Sequence, residues 1–120
     1  MLYSPKWEEK INVAPTWRTV LLRAAEIVRE RGLAKYIQED SFGSVCIHGA
    51  ISIAANGRAH VAADEFPSSG LECEACEAVC AYLRRSGANN IWGFGAANWN
   101  NESYRTADEV IAALEGAALS

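Results

Sequence analysis

The chain has 120 residues, of which 50% are hydrophobic and 22% are charged, and its formal net charge is −4. This length and composition are typical of one globular domain and exclude a disordered or fibrous chain. The acidic balance argues against nucleic acid as a partner, because no overall positive charge attracts the phosphate backbone. We therefore expect a single domain over residues 1–120.

The first ten residues, MLYSPKWEEK, lack the basic region and apolar run of a secretion signal. No stretch approaches the roughly 20 apolar residues that a membrane-spanning helix needs. We expect a cytoplasmic protein without membrane contact. Its four cysteines are then expected to be reduced thiols.

The N-terminal third predicts an arm followed by a helix. Residues 1–15 show no regular period and are expected to form an N-terminal arm. Thr16 is a suitable N-cap, apolar residues then recur at three-four spacing over 17–31, and Gly32 occupies the position of a C-terminal glycine. This pattern predicts an amphipathic helix.

The next segment is less regular. Apolar residues within 33–37 predict a short helical continuation, which ends before the turn-forming residues 40–43. Residues 44–55 suit a strand by their β-branched residues, but their alanines and the following Asn56-Gly57 favour a helix, which we predict. Gly49 within that helix suggests the close approach of a neighbouring element.

The C-terminal half predicts two more helices. Ser69 and Glu72 suit a capping box for a helix over 71–86, and residues 88–105 are expected to form a structured connection with a short helix. Thr106 and Glu109 suit a second capping box, which begins a helix reaching residue 119. The expected fold is therefore mostly α, a compact single-domain bundle of about four or five helices.

Three cysteines, Cys73, Cys76 and Cys80, share one face of the predicted helix over 71–86. A soft metal such as zinc could take them with a fourth ligand from Cys46, His48 or His60. Cysteine is also among the residues most often buried as a small hydrophobe, and the same face continues through an apolar leucine. We favour packing in the core and expect neither a metal nor another cofactor.

Cys46 and His48 form the other candidate for chemistry, because a thiol needs a nearby base to become a nucleophile. On a helix, residues two apart point in different directions, so this pair could not act together locally. We assign no catalytic residue and consider an enzyme less favoured than a binding protein.

The connection over 88–105 is rich in asparagine, glycine and aromatic residues, which suit a binding surface because they give a large contact area. The same aromatic residues could instead fill the core of a small domain. The candidate binding residues are Trp92, Phe94, Trp99, Asn100 and Tyr104.

Several short motifs resemble one known family. They are a first helix ending in Arg31-Gly32, the segment Cys46-Ile-His-Gly49-Ala50, and Trp99-Asn100-Asn101 followed by Arg105-Thr106-x-x-Glu109-Val110. Together they resemble small uncharacterised proteins of actinobacteria and their phages, over roughly residues 17–118. Asn101 departs from the acidic residue that usually ends the Trp-Asn-Asp motif. The resemblance implies a helical accessory domain and transfers no catalytic residue.

Our leading functional hypothesis is a small non-enzymatic accessory protein, phage-encoded as the resemblance suggests, that binds a host or partner protein through the aromatic connection. Two alternatives stay open. One is a ligand-binding protein or thiol enzyme that uses Cys46 and His48. The other is a domain stabilised by a metal on the cysteine face.

Overall fold

The computed structural model describes residues 15–59, 70–89, 91 and 96–120. These residues form five helices: α1 (Trp17–Arg31), α2 (Ile47–Asn56), α3 (Gly70–Arg85), α4 (Ala97–Asn101) and α5 (Ala107–Leu119). The expected mostly α fold is confirmed. The N-terminal arm over residues 1–14, the Ser69 cap and His60 lie outside the described residues.

Local sequence signals explain where α1 begins and ends. The Thr16 hydroxyl accepts the Thr19 N–H at 3.3 Å, and the Thr19 hydroxyl accepts the Thr16 N–H at 2.9 Å, which satisfies two donors that the first turn leaves free. Gly32 ends the helix at a φ of 89°, where a side chain would be strained, and its N–H donates to the Val28 carbonyl at 2.8 Å. The helix predicted from these signals is confirmed.

The predicted helical continuation over 33–37 is wrong. The chain leaves Gly32 in an extended path and pairs with Val45 instead: the Ala34 N–H donates to the Val45 carbonyl at 2.8 Å, and the Val45 N–H donates to the Gly32 carbonyl at 3.0 Å. Isolated bridges join Val45 to Leu33 and to Glu39. Fully buried Val45 anchors this segment, so long-range pairing replaces the local helical bonds.

The predicted choice of helix over strand for 44–55 is confirmed, although α2 begins three residues later, at Ile47. Gly57 ends it in the left-handed conformation. The expected close approach at Gly49 is also found, because a Cβ there would lie 2.0 Å from the Gln38 carbonyl oxygen. The segment after α1 therefore lies directly on α2.

The helix predicted over 71–86 is α3, and Gly87 follows it at a φ of 86°. Its inner face buries a mainly apolar set: Ala75, Cys76, Val79, Cys80 and Leu83. Glu72, which the sequence suggested only as part of a capping box, is buried as well.

The end of the chain follows its sequence pattern closely. The short helix expected within 88–105 is α4. The Thr106 hydroxyl accepts the Glu109 N–H at 3.2 Å, and the Glu109 carboxylate accepts the Thr106 N–H at 2.9 Å, so the predicted capping box begins α5. The most extensive interface joins α1 and α5, with α2 and α3 packed around α1. In the described part of the chain, no helix has the length and apolar character needed to cross a bilayer.

Candidate functional site

A cleft of about 350 Å³ lies between the C-terminal end of α3 and the segment that joins α4 to α5. We call it the aromatic cleft. Buried Leu83 and Trp99 line it, while Tyr104, which is 67% exposed, lies in contact with solvent. Asn89 and Glu102 add polar groups. This volume lies within the range of ligand pockets.

Of the predicted binding residues, Trp99 and Tyr104 both line this cleft. Asn100 faces the interior and is fully buried. Trp92 and Phe94 lie outside the described residues. The aromatic connection therefore contributes both to the core, through Trp99, and to the surface, through Tyr104.

Arg105 organises the cleft from within. Its guanidinium lies 4.1 Å from the centroid of the Trp99 ring and 5.2 Å from that of Tyr104, within the range of cation–π contacts. Its Nε donates to the Trp99 carbonyl at 3.0 Å, and its terminal nitrogens pair with the carboxylates of Glu102 and Glu109. Because internal partners occupy each nitrogen, Arg105 fixes the aromatic rings in place.

Asn100 joins three segments of the chain. Its Oδ1 accepts the N–H of Ile47, the first residue of α2, at 2.9 Å. Its Nδ2 donates to the Ala34 carbonyl at 3.1 Å and to Asn101 Oδ1 at 3.2 Å. The candidate binding residue Asn100 thus holds α4 against α2 and against the segment that follows α1.

Sequence reasoning missed two exposed aromatic residues, Tyr36 and Phe42, which are 75% and 91% exposed. Tyr36 has a φ of 68°, which is uncommon for a bulky residue, and its N–H donates to Asn101 Oδ1 at 2.8 Å. Asp40 Oδ1 fixes the turn that carries Phe42 by accepting the Phe42 N–H at 2.9 Å. An aromatic residue inside the turn-forming run 40–43 was a usable signal for Phe42, but no local pattern marks Tyr36.

The structure does not bring Cys46 and His48 together as a pair. Cys46 is the N-cap of α2, and its Sγ accepts the Gly49 N–H at 3.3 Å. The His48 imidazole instead contacts α3, with Nδ1 3.6 Å from Cys76 Sγ. A buried thiol–imidazole contact therefore exists, but its thiol is a residue that the sequence analysis assigned to the core.

Burial keeps this contact uncharged. It raises the pKa of the Cys76 thiol, and the nearby Glu72 carboxylate raises it further. Burial lowers the pKa of His48 to about 4, although Glu72 acts in the opposite direction. Burial also raises the pKa of Cys46. At neutral pH, this geometry holds protonated thiols beside a neutral imidazole, whereas nucleophilic attack requires a thiolate.

The cysteine face of α3 packs into the core as predicted: Cys76 and Cys80 are buried, and Cys73 is half-buried. All four cysteines are free thiols. Within the described residues, no group of three or more His, Cys, Asp or Glu side chains lies close enough to hold a metal ion.

Comparison with known proteins adds a family. A model described as a family of unknown function (DUF6197) matches residues 13–119. The chain belongs to this family. The expected membership in a family of uncharacterised proteins is thereby confirmed at that level. No curated protein and no solved structure matches the chain. Membership of DUF6197 covers all five helices and brings no activity or site residue with it.

Proposed function

We propose that this protein is a small non-enzymatic binding module that contacts a partner protein through the aromatic cleft and the neighbouring Tyr36. The observation that carries this proposal is the exposure of two tyrosines, Tyr36 and Tyr104, on adjoining segments. Tyr36 is hydrogen-bonded through its backbone to Asn101, and Tyr104 follows three residues later. Exposed tyrosines on a fixed backbone are favourable interface anchors, because they bury a large area and lose few rotamers.

The internal bonding around the cleft supports a binding role over a catalytic one. The Arg105 guanidinium is fully engaged by Trp99, Glu102 and Glu109, so it is held as a support for the rings. The titratable pair His48 and Cys76 is buried and uncharged at neutral pH. Neither His48 nor Cys76 lines the cleft, where the exposed Tyr104 offers contact area to a partner.

The place of action and the origin form part of the same proposal. The four free cysteines favour a reducing compartment, which supports a cytoplasmic protein. The motifs around Cys46–Ala50 and Trp99–Asn101 support an origin in actinobacteria or their phages. A phage-encoded accessory module would have a host protein as its partner.

The test is affinity capture from the organism that encodes the protein, quantified by mass spectrometry. Tyr36→Ala and Tyr104→Ala should each lose at least nine-tenths of a partner that the unchanged protein captures. Leu119→Ala is the matched control, because Leu119 is similarly exposed (77%) but lies at the far end of α5. Binding of the purified partner, measured by titration calorimetry, should show the same ranking. If both tyrosine variants capture every partner in the same amount as the unchanged protein, the cleft is not the binding surface.

A further inference from the structure

The interface between α2 and α3 carries a line of polar side chains that runs from the buried His48 and Ser52 to the exposed Asn56. On α2 these are His48, Ser52 and Asn56, which recur every four residues and so share one face. On α3 they are Glu72 and Cys76, also four residues apart. We call this set the polar seam. Two contacts close it: His48 Nδ1 lies 3.6 Å from Cys76 Sγ, and Asn56 Nδ2 donates to Glu72 Oε1 at 2.6 Å.

The His48 ring is buried in the seam, with one nitrogen unpaired within the described part of the chain. The residue is only 7% exposed, and its Nε2 has no hydrogen-bond partner among the residues that the structure describes. If the Cys76 thiol donates to Nδ1, then Nε2 carries the proton and is a buried donor without an acceptor. Such a group costs free energy and is rare in folded proteins. The unpaired donor therefore makes the closed seam less stable.

We propose that the polar seam is an acid-sensitive lock, in which protonation of His48 separates α2 from α3 locally and exposes the Cys76 thiol while α1 and α5 stay packed. None of the residues of the seam lines the aromatic cleft. It provides a response to mild acid that the binding surface alone does not have.

Charge explains why acid would act here. An imidazolium inside the seam would have one charged neighbour among the groups acting on His48, the Glu72 carboxylate on α3. Cys76 on α3, which contacts the ring, and Cys46 at the start of α2, which lies near Cys76, are neutral thiols whose pKa is raised by burial. A single carboxylate does not offset the loss of water, so the charged ring is stable only after the seam opens.

Linkage gives the size of the effect. Burial lowers the pKa of closed His48 to about 4, whereas the ring in contact with water titrates at 6.5. Protons therefore favour the open form between these values, and the opening equilibrium should rise about 20-fold from pH 7 to pH 5. Opening stays local because the α1–α5 interface, the most extensive in the fold, contains neither His48 nor Cys76.

Cys80 supplies an internal control on the same helix. It is as buried as Cys76, at 5% exposure, but lies one turn further along α3, where it interacts with the backbone at Ala96 instead of with His48. Global unfolding would expose both thiols, whereas local opening of the seam would expose Cys76 in preference.

The experiment measures labelling of the full chain with 4,4′-dithiodipyridine, a disulfide that also reacts with thiols in mild acid. Site-resolved mass spectrometry gives the rate at each cysteine, divided by its rate in the chemically unfolded chain at the same pH. From pH 7 to pH 5, the Cys76 rate should rise about 20-fold, and at each pH it should exceed the Cys80 rate, because Cys80 is exposed only by global unfolding. In His48→Gln, which cannot titrate, the Cys76 rate should stay constant.

A constant Cys76 rate in the unchanged protein would overturn the proposal. So would equal Cys76 and Cys80 rates at pH 5, which indicate that global unfolding exposes both thiols, or an undiminished rise at Cys76 in His48→Gln. Should that variant fail to fold, amide hydrogen exchange of the unchanged protein provides the second measurement. At pH 5, protection should be lower in α2 than in α1, after correction for the intrinsic exchange rate. Equal protection in both helices contradicts a local lock.

Discussion

Replacing Asn100 tests whether one buried side chain joins three parts of the fold. In Asn100→Ala, the N–H of Ile47 and the carbonyl of Ala34 lose the partners that lie at 2.9 Å and 3.1 Å. Each buried group left without a partner costs about 1–3 kcal/mol, so we expect a loss of about 4 kcal/mol. Against a typical total of 5–15 kcal/mol, this would lower the melting temperature of a 120-residue domain by about 15 °C.

Urea unfolding followed by far-UV circular dichroism gives the free energy of unfolding directly. Asn98→Ala is the control, because Asn98 lies two residues away in α4 and is exposed, so its change should stay within about 0.5 kcal/mol. Asn100→Leu separates bonding from packing, since leucine fills the space but cannot bond to either group. A loss below 1 kcal/mol in Asn100→Ala, or nearly full stability in Asn100→Leu, would refute the assignment.

Three other changes test the remaining parts of the structure by the same unfolding measurement. Gly49→Ala should destabilise by at least about 2 kcal/mol despite the higher helix propensity of alanine, because its Cβ would meet the Gln38 carbonyl, whereas Gly70→Ala, with open space around it, should be neutral or slightly stabilising. Thr106→Ala removes an N-cap and should cost about 1 kcal/mol; no change would show that the cap is dispensable. Acid should also act through His48, because its pKa is 6.5 in the unfolded chain and about 4 in the folded chain. The unfolded chain therefore binds the proton first, and the free energy of unfolding should fall by about 2 kcal/mol from pH 7 to pH 5. His48→Gln should abolish that fall, and an equal fall in the variant would assign the acid effect to other groups.

Much of the helical framework is encoded locally and could be predicted. The capping residues Thr16 and Thr106 bond to backbone groups three residues away, and Gly32 ends its helix through a bond to Val28. Signals of this range are visible in the order of residues alone. That is why α1 and α5 were predicted within one or two residues of their ends.

The segment after α1 could not be predicted in the same way. Its apolar residues have a spacing that fits one short helical turn, but its backbone bonds go to Val45, eleven residues beyond Ala34. Tertiary pairing of this kind overrides weak local propensity and leaves no period in the sequence. The left-handed conformation of Tyr36 follows from the same pairing and from the bond to Asn101, 65 residues away.

The candidate site could likewise be predicted only in part. Composition was sufficient to select the connection that contains Trp99 and Tyr104, because aromatic residues cluster there. It could not show which of them is buried, since burial depends on how Arg105 and Glu102 close the cleft. The His48–Cys76 contact could not be predicted for a similar reason, because it joins residues 28 positions apart on two different helices.

The arrangement around α4 determines how any binding experiment on this protein must be interpreted. Trp99 and Asn100 are both binding candidates by composition, yet both are buried, and Asn100 bonds to two distant segments. Loss of partner binding on replacing either residue would therefore report loss of the fold as readily as loss of a contact. Tyr104, in contrast, shows two-thirds of its surface to solvent beside the same cleft, so its replacement removes contact area and leaves the core intact. Only a change at such an exposed residue, in a variant with unchanged unfolding free energy, can separate the binding surface from the scaffold that holds it.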